Sequence, residues 1–189
     1  GDLVRIGLDN WKKQNKSLSY QNVIQVNKDL NKSGFHDWSL SFLSDIDLPL
    51  NFAIISDRYL YKDRRNRKNN PHLPINEKGL LSNLEDNLFP LIDALVLKGD
   101  QTFQLLLITA EEEIINMPLW YKYINDYTNK NIQRTVKVSF AVVDKWKTEH
   151  DRDIITNYFW IYSGSSFTYK KDGKNNSNTS FTCFALNTD

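Results

Sequence analysis

Between Asn76 and Leu97 apolar residues recur at Leu80, Leu81, Leu84, Leu88, Leu91, Ile92, Leu95 and Val96, the three-and-four spacing that lines one face of a helix. Pro90 falls inside this stripe. It has no N–H to donate and its ring crowds the preceding turn, so the pattern predicts a helix that is kinked or interrupted there. Gly99, in "KGD", supplies a C-terminal stop. The period then changes. "TFQLLLIT" is a continuous apolar run that reads as a buried strand, and "EEEIINMPLWYKYINDYTNK" reads as a helix whose leading acids suit its positive end. Pro118 is preorganised for the true first turn of that helix. "TVKVSFAVVD" is a further strand.

The flanks are less regular. In the first 50 residues, "SYQNVIQVNKDL" and "WSLSFLSDIDLPL" alternate apolar with polar positions but are broken by charges and by Pro49, which suggests short strands. "LNFAIISDRYLY", from Leu50, is more continuous and β-rich. The charged "KDRRNRKNNPHLPINEKG" after it is twice broken by proline and reads as an exposed loop, making residues 62–76 the best internal boundary. Beyond residue 149, "EHDRDIITNYFWIYSGSSF" offers two strands, "KKDGKNNSNTS" a polar turn and "FTCFALN" a last strand. Alternation puts Phe159 and Trp160 on opposite faces. Strand, helix, strand, helix, strand and a β-rich end predict an α/β fold with helices packed on a mixed sheet. A length of 189 residues suits a single domain spanning the chain, 1–189.

Charge and cysteine content narrow the function. Lys and Arg total 24 against 23 Asp and Glu, a net charge of +1, so any anion must be bound by a local patch rather than by a global field. The one cysteine, Cys183, forms no internal disulfide and anchors no zinc cluster, which suits a reducing compartment. The opening "GDLVRIGLDNWKKQNKSLSY" lacks an apolar signal core, and no run approaches the roughly 20 apolar residues that cross a bilayer. The expectation is a cytoplasmic protein. Glu111, Glu112 and Glu113 have no matching acids or histidines at an evident partner strand end and read as helix N-terminal charges, so no metal is expected. Phosphate-loop and dinucleotide fingerprints are absent, and no cofactor is expected.

Chemistry concentrates after His150. Arg152 is two residues on, Asn157 seven on, and Gly164-Ser165 fourteen and fifteen on. This spacing resembles the motif of the phospholipase D superfamily, H-x-K-x-x-x-x-D followed after six residues by G-S-x-N, which stands here as "HDRDIITN", "YFWIYS" and "GSSF". The resemblance implies a phospholipase D-like fold, a mixed β-sheet flanked by helices. It makes His150 the nucleophile, sets Asn157 where an aspartate orients a histidine, and puts Arg152, Ser165 and Ser166 on phosphate oxygens. The departures alter the chemistry. Arg152 keeps the cation but brings a planar fork. Asn157 lacks the negative charge that stabilises an imidazolium, and Phe167, at the last motif position, offers no side-chain hydrogen bond. "HDRDI", an aromatic-rich strand and "GSSF" are also similar to the C-terminal domain of the MIT-domain-containing protein family. That resemblance implies a phospholipase D-like fold without the catalytic set, associated with acidic membrane lipids.

Two further stretches bear on this reading. "SDRYLYKD" is a degenerate echo of the motif, with Ser56, Arg58 and Asp63 at the marked positions; the preferred alternative is that Asp57-Arg58 ends an edge strand with a charge pair. Arg64, Arg65, Arg67 and Lys68 form a basic loop that, with Lys170, Lys171 and Lys174, would flank Arg152. The expected function is a catalytically weak module that binds a phosphate-bearing ligand, an acidic lipid or a nucleic acid, or a partner protein. The alternative is a homodimeric phosphodiesterase or nuclease that pairs two copies of His150 across a twofold axis.

Overall fold

The computed structural model describes residues 21–26, 49–61, 76–96, 99, 101–144, 152–163, 167–168, 170–171, 174–175 and 179–185. The strands are β1 (Gln21–Val26), β2 (Phe52–Ser56), β3 (Phe103–Ala110), β4 (Val136–Val143), β5 (Arg152–Thr156), β6 (Phe159–Ser163), β7 (Lys170–Lys171), β8 (Lys174–Asn175) and β9 (Thr179–Ala185). Seven of them make one mixed sheet in the order β1-β9-β6-β5-β2-β3-β4, and β7 and β8 pair with each other. β2, β3 and β4 run parallel, whereas β5, β6, β9 and β1 are joined antiparallel to their neighbours. The fold is α/β.

The helices run α1 (Glu77–Asn83), a π turn (Leu84–Leu88), α2 (Phe89–Val96), a 3-10 turn (Glu111–Asn116) and α3 (Met117–Asn131). The π turn ends beside Pro90, where the sequence predicts an interruption. Pro90 cannot donate to the carbonyl four residues back, and its ring would strike that carbonyl in a regular α-turn. The turn before it widens instead, with the Phe89 N–H reaching the Leu84 carbonyl. Pro118 sits in the first turn of α3, as expected from its fixed φ. Gly99 takes a φ of +116° after α2, a conformation that disfavours any residue with a Cβ.

Crossovers that step the same way along a sheet, with the usual right hand, lay their helices on one face. β2 to β3 and β3 to β4 step the same way, and both helical segments share a core with one sheet face. Leu80, Leu84, Leu88, Ile92, Trp120 and Ile124 pack there with Ala53, Ile55, Leu105, Leu107, Ile154 and Ile161. α3 is held to its neighbours by Tyr123, whose hydroxyl donates to Glu77 over 2.8 Å, and by Tyr127, which donates to Asp93 over 2.6 Å and stacks on Phe89. The opposite sheet face is more open: Gln104, Lys137, Ser139 and Tyr162 are exposed there and Trp160 is half-buried. Phe159 and Trp160 do face opposite ways, with Phe159 in the core.

Two expectations change. β2 lies inside the sheet between β5 and β3, so Asp57-Arg58 does not end an edge strand. The polar stretch before β9 contains the short β7 and β8 pair rather than a simple turn. The strand expected in "SYQNVIQV" is β1; residues 38–48 of the second expected strand and 62–75 of the basic loop lie outside the described residues. No helix among the described residues is long and apolar enough to cross a membrane.

Candidate functional site

In an open α/β sheet ligands gather beyond the carboxyl ends of the parallel strands. At that end β2 hands over to Asp57, and the antiparallel β5 begins beside it with Arg152. Ser56 is the cross-strand partner of Asp153, so Asp57 and Arg152 follow in the same row, about 4.8 Å apart at ordinary strand spacing. Arg152 in turn pairs with Ser163, the last residue of β6. Directly opposed residues share a face, so a carboxylate, a guanidinium and a hydroxyl occupy adjacent places in one row across three strands.

Asp57 organises this end. Its carboxylate is buried and accepts the Tyr59 N–H over 3.1 Å and the Phe167 N–H over 2.5 Å. The first bond is an Asx turn that bends the chain out of β2 into the 3-10 turn Arg58–Leu60, where the Leu60 N–H also reaches the Asp57 carbonyl. The second ties the segment after β6 to the end of β2, with the Phe167 ring buried beneath it. Arg152 is half-buried, with its guanidinium carbon 5.5 Å from the centre of the Tyr59 ring. A planar guanidinium set against an aromatic face gains a cation–π contact. Thus Asp57 fixes the turn, the turn presents Tyr59, and Tyr59 braces the guanidinium.

Asp153, the next residue, points to the opposite face. There it is buried and accepts the Trp160 indole N–H over 2.5 Å. Ser56 shares that face, so alternation turns it away from Arg152. Of the echo motif, Arg58 lies in the turn after β2 and Asp63 is outside the described residues. The echo therefore brings no serine to the Arg152 row.

Asn157 is not with Arg152 either. It sits in the β5–β6 turn at the other end of β5, about 16 Å away at ~3.3 Å per residue. Its amide oxygen accepts the Asn51 N–H over 3.1 Å, and its amide nitrogen donates to the Pro49 carbonyl over 3.2 Å. Those two bonds need one acceptor and one donor on the same side chain, which an amide supplies and a carboxylate does not. The expected role of orienting an imidazole beside Arg152 gives way to that of fastening the approach to β2.

His150, Ser165, Ser166, Arg64, Arg65, Arg67 and Lys68 lie outside the described residues. Sequence reasoning missed the structural weight of Asp57, Tyr59 and Ser163, and noted Phe167 only for its lack of a side-chain donor although its backbone N–H is what binds. An aspartate directly after an apolar strand, two residues before an aromatic, was the available clue for Asp57 and Tyr59. Among the described residues no three His, Cys, Asp or Glu side chains group as metal ligands would. No family model matches the sequence, and no curated protein matches it significantly.

Proposed function

We propose that the chain is a phospholipase D-like module that holds a phosphate-bearing ligand at the Arg152 end of its sheet and binds rather than hydrolyses it. The observation that carries this reading is the register: Arg152 and Ser163 are partners on adjacent strands. The two halves of the motif, "HDR" and "SGSSF", are therefore attached to neighbouring strand ends, as a shared phosphate site needs. The mixed α/β sheet supports the fold. Tyr61, from which the basic loop departs, supports a cationic surround, because its hydroxyl donates to the Ile108 carbonyl close to the end of β3. Asn157, tied to residues 49–51 at the other end, favours binding over turnover: it lends nothing to an imidazole near Arg152. The ligand chemistry is a phosphate ester, as in an acidic lipid headgroup or a nucleic-acid backbone, met in a reducing, cytoplasmic setting that a lone cysteine suits.

Titration of the full chain with inorganic phosphate and with a small phosphodiester, followed by calorimetry, tests the reading. Arg152→Ala is expected to weaken binding tenfold or more, and Arg152→Lys to restore only part of it because the fork is lost. His150→Ala is expected to leave binding in place. Turnover of the phosphodiester that disappears in His150→Ala would replace this reading with the phosphodiesterase or nuclease one. Binding indifferent to Arg152 would remove the site.

A further inference from the structure

Asn83 closes α1 and Asn87 lies in the π turn, four residues apart and so on one face, beside Leu80, Leu84 and Leu88 of the core. Both are buried, with 3% and 0% of their surface exposed. An amide placed among leucines costs stability unless its hydrogen bonds are made. These bonds lead away from the helix. Asn83 Nδ2 donates to the Tyr59 carbonyl over 2.9 Å, and Asn87 Nδ2 donates to Asn83 Oδ1 over 2.8 Å. Their order is fixed by chemistry. A backbone carbonyl only accepts, so the atom that Asn83 turns to Tyr59 is its amide nitrogen; its oxygen then faces the other way and takes the Asn87 donor. The second amide orients the first.

The other backbone group of Tyr59 is held as well, since its N–H donates to the Asp57 carboxylate over 3.1 Å. The peptide planes on both sides of the Tyr59 Cα are therefore pinned, and with them the direction in which the ring leaves the chain. That ring is the one set against the Arg152 guanidinium, 5.5 Å from its centre.

We propose that Asn83 and Asn87 are positioning residues for Arg152: the pair holds the Tyr59 turn so that its ring meets the guanidinium. A core pair with a structural role alone would cost stability when removed and leave the arginine as it was. A positioning pair also changes the surroundings of Arg152 when it is lost. The consequence for ligand affinity rests on the phosphate reading above; the positioning of the arginine does not.

Side-chain NMR of Arg152 in the full chain separates these accounts, with thermal unfolding by circular dichroism as the folding control. Protons held over a ring face are shifted upfield, and the difference between the wild type and Tyr59→Leu measures what this ring contributes. Asn83→Ala is expected to lose most of that difference. Asn83→Leu, which keeps the volume of the side chain and guards against a variant that does not fold, is expected to lose as much. Asn87→Ala is expected to lose a smaller part, because the Asn83 amide then lacks the bond that orients it. Leu95→Ala, in the same helical segment and core, is expected to lower the unfolding midpoint without moving the Arg152 protons. In titrations with inorganic phosphate, Asn83→Ala is expected to bind about two- to fivefold more weakly than the wild type, the worth of one cation–π contact.

Arg152 protons that match the wild type in Tyr59→Leu, that stay in place in folded Asn83→Leu, or that move as far in Leu95→Ala overturn the positioning role. Phosphate affinity that is unchanged in variants whose Arg152 protons have moved overturns the part that the pair plays in binding. A wild type that binds no phosphate overturns the phosphate reading instead, and the proton shifts still decide the role of the pair.

Discussion

Two arginines mark the two ends of the parallel strands, and they serve different purposes. At the amino end Arg134 is buried and spends its donors inside the fold. Its guanidinium reaches the Gln101 carbonyl, the Leu50 carbonyl at 2.7 Å and the Asn51 side-chain oxygen at 3.1 Å, and it lies over Phe103 at 5.3 Å. These groups precede β4, β3 and β2, so one side chain fastens the starts of all three strands, and Asn157 adds the β5–β6 turn to the same knot. Gly99 closes over it: a Cβ there would stand 3.0 Å from Arg134 Nη1. At the carboxyl end Arg152 is half-buried against Tyr59, and a buried carboxylate, Asp57, holds the turns around it. One end is closed by neutral backbone and amide acceptors around a cation, which makes it structural. At the other end a cation stands where the ends of β2, β5 and β6 converge, and it is there that the proposed function sets the ligand.

That contrast can be broken by substitution. Arg134→Ala should have the largest effect, about 3 kcal/mol or more in urea unfolding, because several inward-facing oxygens lose their donor together. Arg134→Lys should recover only part of it. Asp57→Ala should follow at ~2–3 kcal/mol, since the Tyr59 and Phe167 N–H groups lose a charged acceptor, while Asp57→Asn, with one acceptor oxygen left, should cost about half as much. Asn157→Asp separates the two accounts of that residue. If it stood by an imidazole, the new charge would help catalysis; tied as it is to the Pro49 carbonyl, it should cost ~1 kcal/mol and bring no hydrolysis.

A fourth expectation concerns pH. Burial, and then the hydrogen bond to Asp93 and its charge, push the Tyr127 hydroxyl well above the ordinary tyrosine value, and the bond to Glu77 raises Tyr123. A raised value means that folding favours the protonated phenol. Its contribution is therefore complete below about pH 10, the unfolded value, and is lost as pH climbs toward the folded one. Unfolding free energy should decline above that point, and less steeply in Tyr127→Phe. The smallest stability change is expected for Arg152→Ala, about 1 kcal/mol for a partly exposed cation packed on the Tyr59 ring. A cost there matching that of Arg134→Ala would erase the distinction between the two ends.

Several elements could be read along the chain because their causes are local. The leucine stripe gave one helical segment, Pro90 its wide turn, Gly99 its stop and Pro118 the start of α3. Each rests on dihedral limits or on spacing within a few residues. The α/β class followed from the alternation of those elements. Other features were visible only as residue types: Asn157 matched a motif position in spacing, yet its bonds go to Pro49 and Asn51, and Asp57 passed for half of a surface charge pair until Phe167 was set against it.

By itself, then, the sequence determined the helices and strands between residues 76 and 143 in outline, the apolar stripe of the first helical segment, and that His150, Arg152 and the Gly-Ser pair come from one short run. The tertiary structure alone decided that β5 lies beside β2, that Ser56 turns away from Arg152 while Ser163 joins it, and that Arg134 rather than Arg152 ties the strand starts. The physical reason is that a side chain's periodicity fixes its face within one element, whereas its neighbours depend on strand order and register. Those are set by the packing of the whole sheet, through contacts such as Asp57 to Phe167 and Arg134 to Leu50 that join residues far apart in the chain.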